Sequence, residues 1–158
     1  MQDKKTINVI GHANPAEGGF TISLDPRYAE GLTGLSEFSH AAVLWWASES
    51  DSVAQRDQLV YQKPYTNNPD DVGVFSSRSP SRPNPIGLSV IAIQNVDTKK
   101  ATITTPYIDA EPGTPIVDIK PYFPASDRVR DAKMPNWCEH WPGCYEESAS
   151  FDWASEFE

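Results

Sequence analysis

The 158-residue sequence predicts one all-β domain of about seven short strands and one short helix, arranged as a barrel or sandwich. Three observations carry this. Apolar and β-branched residues recur with period two along most of the chain. The long amphipathic helices that a parallel βαβ sheet needs between its strands are missing. The fourteen prolines sit mainly in connections, where a fixed φ and a missing N–H do no harm to a ladder.

In chain order, Ile7, Val9 and His12 fit an opening strand. Asp25 can cap a helix with Pro26 at its first position, and Tyr28, Leu32 and Leu35 repeat at helical spacing, with Gly31 and Gly34 limiting it to one or two turns. The continuous apolar run Ala41–Trp46 reads as a buried strand ending at Ser48 and Glu49. Gln58–Tyr61 and Val72–Ser77 give two more, separated by the loop Gln62–Asp71. Leu88, Val90 and Ile91–Ile93 form a long strand that Asp97–Lys100 turns into Ala101–Thr105 as a hairpin. Ile116, Val117 and Ile119 make the last strand before Pro121.

Composition narrows the function classes. The first twenty residues hold no sustained apolar run, and no stretch approaches the roughly twenty apolar residues of a membrane span, so the expectation is a soluble, cytoplasmic protein without a membrane partner. Two cysteines are too few for a disulfide framework. The net charge is −9, and residues 134–158 carry six acids and no Lys or Arg, leaving sixteen acids against thirteen bases elsewhere. Such a tail repels a polyanion, which argues against nucleic acid. The chain divides into a β-barrel domain, 1–133, and an acidic aromatic extension, 134–158.

Arg78–Ser89, RSPSRPNPIGLS, is the segment with the most chemistry. Its prolines hold Ser79, Arg82 and Asn84 extended, so ordering the loop around a ligand costs little entropy. Arg78 and Arg82 offer forked donors to a carboxylate or phosphate, and Gly87 admits a close approach to the backbone. A rigid solvent-exposed connection with two surface arginines accounts for the same residues equally well.

The segment is similar to the signature of the TsaA-like (TrmO-type) β-barrel S-adenosylmethionine-dependent methyltransferase domain family, in which such an arginine-proline stretch follows a GVF strand. Three further stretches fall in the same order: Gly31–His40 (GLTGLSEFSH), the apolar strand Ala41–Ala47, and Gly113–Tyr122 (GTPIVDIKPY). The likeness runs from about Ile7 to Pro124. It implies a barrel that binds S-adenosyl-L-methionine, works as a homodimer and methylates N6 of threonylcarbamoyladenosine in tRNA.

Carried onto this chain, the resemblance puts the cofactor against Ser48, Glu49, Arg78, Leu88, Glu111, Gly113 and Thr114, and the methyl acceptor near Arg82 and Asn84. Asp118 and Lys120, two apart on a strand, share a face; either they act catalytically, Asp118 orienting or deprotonating the acceptor nitrogen, or they form a same-face ion pair. His40 is expected to make a structural hydrogen bond. Two departures stand out: Asn14–Ser23 replaces a longer loop that reaches the cofactor in family members, and the acidic tail stands where they carry a second domain. A methyltransferase for a small-molecule acceptor and a non-catalytic ligand-binding or protein-interaction module on the same barrel therefore remain alternatives.

In the tail, Trp137, Trp141, Tyr145, Phe151, Trp153 and Phe157 favour packing over disorder. Cys138, His140 and Cys144 match no familiar zinc spacing, and no metal is expected.

Overall fold

The computed structural model describes residues 3–158. Nine strands form: β1 (Gly11–Ala16), β2 (Gly19–Leu24), β3 (His40–Trp46), β4 (Val60–Tyr61), β5 (Val72–Gly73), β6 (Ile86–Ala92), β7 (Asn95–Asp97), β8 (Thr102–Thr105) and β9 (Thr114–Pro121). Seven build one antiparallel sheet in the order β6-β3-β9-β1-β2-β8-β7, and β4 pairs with β5 apart from it. The fold is thus mostly β with few and short helices. No ladder joins β6 to β7 among the described residues. The closed barrel is therefore seen only as a sheet whose outer strands follow one another in the chain, with Ile93 and Gln94 between them.

The core is aliphatic. Ala13, Ile22, Ala41, Val43, Ile91, Ile103 and Ile116 have no solvent exposure, and each alternates with a more exposed neighbour on its strand, the period that a sheet with one dry face imposes. Leu32 and Leu35 close this core from two 3₁₀ helices, Pro26–Leu32 and Leu35–Glu37. Asp25 caps the first as expected, its carboxylate accepting from the Arg27 N–H at 3.0 Å. The helix is 3₁₀ rather than α.

Four expectations change. Ile7 and Val9 lie outside any strand and are about half exposed; pairing starts at Gly11, whose missing side chain lets β1 lie against the Leu24 backbone. Asn14–Ser23 is no loop but most of a hairpin, paired down to Ala16 opposite Gly19. Gly18 (φ 76°) and Gly19 (φ 148°) take backbone angles open to glycine, and a side chain at Gly19 would run into the Thr105 carbonyl. The long strand after Leu88 breaks at Ile93: β6 stays on β3, and the expected hairpin is β7–β8, with Asp97 Oδ1 accepting from the Lys99 and Lys100 N–H groups at 3.0 Å each. Val72–Ser77 likewise shortens to β5 followed by a 3₁₀ turn, Val74–Ser76.

Beyond β9 come one-turn helices α2 (Pro124–Asp127) and α3 (Tyr145–Ser148) and 3₁₀ turns at Asn136–Cys138 and Trp153–Glu156. The tail packs on its own chain, against the Gln62–Asp71 loop. Trp137 stacks on Tyr65 with ring centres 4.5 Å apart, and Trp141 and Phe157 complete the cluster. Glu156 is buried at its centre, accepting from Trp141 Nε1 at 2.9 Å and Asn67 Nδ2 at 3.4 Å, with His140 Nε2 3.0 Å away.

Candidate cofactor site

Register decides what meets at one end of the sheet. Trp46 at the end of β3 faces Ile86 at the start of β6, and Trp45 faces Ile116 near the start of β9. The residues that follow β3 and those that precede β6 and β9 therefore converge. Ser48 and Glu49 lie in a 3₁₀ turn, Ser48–Ser50, both exposed, and the Ala47 N–H donates to Pro85 O at 2.8 Å. Glu111, Gly113 and Thr114 form the turn into β9: the Thr114 N–H donates to Glu111 O at 3.1 Å and the Gly113 N–H to Ala13 O at 2.8 Å, with Gly113 at φ 81°. Glu111 and Gly113 are exposed and Thr114 is buried.

Within the arginine-proline segment the two arginines part company. Arg82 turns back, its Nη1 donating to Ser77 O at 3.3 Å and Ser79 O at 3.4 Å. Arg78 is exposed, and no side-chain hydrogen bond or ion pair engages it among the described residues. Asn84 accepts from the Ile86 N–H through its carbonyl at 2.7 Å, a tight bend between two prolines. Gly87 does admit a close approach, and what approaches is the Trp45 indole of the neighbouring strand, whose Nε1 donates to Ser89 Oγ at 3.0 Å.

Leu88, Asp118 and Lys120 occupy the outer face of the sheet. Leu44 is flanked by Leu88 on one side and Asp118 on the other, and Ala42 by Val90 and Lys120. Lys120 Nζ sits 2.7 Å from Asp118 Oδ2, both well exposed, and Asp118 Oδ1 accepts from the Ile119 N–H at 2.9 Å. The hydrogen bond and charge of Asp118 raise the Lys120 pKa, so the ammonium persists through neutral pH. Asp118 also lines a cavity of about 520 Å³ bounded by Leu24, Tyr28, Leu35 and Phe38. His40 Nδ1 lies 2.9 Å from Ser39 Oγ, the structural bond expected of it.

Sequence reasoning passed over Asp51, Gln55, Arg56 and Tyr61. Trp46 Nε1 donates to Asp51 Oδ2 at 2.9 Å, and Arg56 Nε donates to Asp51 Oδ1. Arg56 and then Trp46 hold the Asp51 carboxyl below its usual range. Arg56 Nη1 reaches Pro83 O at 3.4 Å, and the Tyr61 hydroxyl donates to Ser81 O. A capping box, Ser52 with Gln55, marks the start of one-turn helix α1 (Val53–Arg56); that S-x-x-Q pattern was the available signal. In the tail, His140 is turned to Glu156 and the Cys138 Sγ donates to Pro135 O at 3.4 Å, so these two side chains make their contacts within the tail, while Cys144 is exposed.

Against known families, residues 11–128 match the model of the tRNA-methyltransferase O N-terminal domain. The chain belongs to this family. Among curated relatives, it is 38% identical over 120 residues to an S-adenosyl-L-methionine-binding protein of Archaeoglobus fulgidus, covering 73% of this chain and 81% of that one. It is 32% identical over 124 residues to the tRNA (adenine(37)-N6)-methyltransferase of Escherichia coli, covering 77% of this chain and 52% of that one. A crystal structure of TrmO from Pseudomonas aeruginosa superposes with a TM-score of 0.66 at 25% identity, over 86% of this chain and 62% of that one. The chain thus spans about half to two thirds of the TrmO proteins and only 33% of another Archaeoglobus fulgidus relative, a probable S-adenosyl-L-methionine-binding protein. The tail from Val129 on lies outside the matched domain.

Proposed function

We propose that this chain is an S-adenosyl-L-methionine-dependent methyltransferase whose acceptor is N6 of the modified adenosine beside a tRNA anticodon. The observation that carries this reading is the strand register, which brings the residues following β3 and those preceding β6 and β9 to one end of the sheet, with prolines stiffening the segment before β6 and Gly113 taking the left-handed angle of the turn before β9. The names of the relatives support the cofactor and the reaction class.

The residues suit the cofactor's chemistry. The Arg78 guanidinium is free to take a carboxylate. The exposed Glu49 carboxylate can accept from ribose hydroxyls, and the turn at Gly113 offers backbone groups to a base edge. The bound cofactor supplies a methyl group on a positively charged sulfonium. Its transfer is an in-line displacement, so the protein's task is alignment and exclusion of water rather than covalent catalysis. Asp118, next to Leu44 on the neighbouring strand, would orient an acceptor N–H. Lys120 pairs with that carboxylate, its Nζ 2.7 Å from Asp118 Oδ2.

The assembly proposed is a homodimer in the cytoplasm. Its support is the outer face of β3 and β6, where Ala42, Leu44, Leu88 and Val90 form an apolar stripe and Leu88 is 47% exposed. No helix is long and apolar enough to cross a membrane among the described residues. Residues 1–133 would constitute the catalytic domain and 134–158 an appended brace. The acidic tail favours one alternative, a small-molecule acceptor on the same cofactor site. Incubating the protein and cofactor with tRNA that carries threonylcarbamoyladenosine, then analysing nucleosides by mass spectrometry, tests the acceptor. Gain of one methyl on that nucleoside is expected; an unchanged nucleoside with cofactor still bound moves the assignment to a small molecule.

A further inference from the structure

The α1 turn contributes nothing to the core: none of its residues is buried, and Val53 at its start is 77% exposed. Short exposed helices are unfavourable alone, since the first turn fixes several residues for one hydrogen bond. What α1 does is present two side chains. Gln55 Nε2 donates to Glu49 O at 3.2 Å, and Arg56 Nη1 donates to Pro83 O.

The arginine-proline segment needs such external partners. Pro80, Pro83 and Pro85 have no N–H to close local turns, and the carbonyls on either side of Arg82 are taken from outside the segment, Ser81 O by Tyr61 and Pro83 O by Arg56. Arg56 is itself fixed three ways. Its Nε is bonded to Asp51, its guanidinium lies over the Trp46 ring with 5.3 Å to the ring centre, and Trp46 holds the other Asp51 oxygen. The turn bearing Ser48 and Glu49 and the segment bearing Arg78 are thereby tied into one unit.

We propose that Arg56 and Tyr61 are positioning residues that lock the Arg78–Asn84 segment against the Ser48–Ser50 turn in the shape required to bind the cofactor. The inference rests on the cofactor reading above. In the folded protein these contacts predispose the loop, so the ligand does not have to order it. Because α1 buries nothing, losing the clamp changes the ligand site more than the core.

The test is calorimetric titration of S-adenosyl-L-methionine into wild type, Arg56→Ala, Arg56→Lys, Tyr61→Phe and Arg78→Ala, with melting followed for each. Loss of one charge-assisted bond to a part-buried carbonyl corresponds to about a tenfold change in affinity. Arg56→Ala is expected to weaken binding about tenfold and Tyr61→Phe to weaken it by less. Arg56→Lys should fail to rescue, because a lysine cannot hold Asp51 and Pro83 O together. All variants should remain folded at the temperature of titration. If Arg78→Ala weakens binding while Arg56→Ala and Tyr61→Phe bind as wild type does, the positioning role is overturned and the cofactor reading stands. If wild type itself does not bind, both are overturned. Should Arg56→Ala melt before the titration temperature, Tyr61→Phe, which removes only a hydroxyl, decides the outcome by the same criterion.

Discussion

Gly87 and Trp45 show how single residues set the site's frame. The Trp45 indole occupies the space a Cβ at position 87 would need, and that ring is pinned by its bond to Ser89. Gly87→Ala should cost about 1–3 kcal/mol, the range for overpacking a filled site, and shift β6 at its start. Urea denaturation reads this, and an unchanged midpoint would mean the ring moves freely. Arg78 and Arg82 differ in the same concrete way. Arg78→Ala should weaken cofactor binding more than Arg82→Ala, because Arg82 is occupied with Ser77 O and Ser79 O while Arg78 is free. Equal losses would show the wrong arginine had been assigned. The resemblance already set Arg78 apart as the cofactor's arginine, but the sequence did not show that Arg82 folds back onto Ser77 O and Ser79 O of its own segment, nor that Gly87 meets the Trp45 indole, which depends on cross-strand register.

Among the elements, β3, a continuous apolar run, and β8 and β9, rich in β-branched residues, were readable, and so was the Asp25 cap. The β1–β2 hairpin was not, although Thr21 to Leu24 alternate: Gly18 and Gly19 suggest a loop until Thr105 is known to lie against Gly19. The tail was legible as packing but not as to its target, since Tyr65 sits in a polar loop. Its Glu156 gives a test at this scale. The carboxyl is held below its ordinary value by His140 first and Trp141 next. A depressed folded-state pKa means that the contribution is present above the unfolded value, about 4.3, and is lost as pH falls through the folded one. Near-ultraviolet circular dichroism from Trp137, Trp141 and Trp153 should therefore persist at neutral pH and fade below about pH 4.3, and Glu156→Ala should lose much of it at neutral pH. A full signal in Glu156→Ala would show that the rings dock without the carboxylate.

For the whole molecule, the fold brings the residues proposed for the cofactor toward one sheet end and leaves an apolar stripe on the outer face of β3 and β6. Sedimentation should show a dimer, and Leu88→Glu, which puts a charge on the stripe, should shift it toward monomer. A wild-type monomer would leave that face as ordinary surface. Family membership was legible because four motifs survive in order, whereas the acceptor was not, since nothing in the arginine-proline segment distinguishes a tRNA nucleoside from a smaller molecule. Everything proposed about activity passes through the cofactor. Calorimetric titration of S-adenosyl-L-methionine into the well-folded wild-type protein tests that step directly: saturable binding of one cofactor per site is the expected result, and no detectable heat or competition at millimolar cofactor would contradict the account.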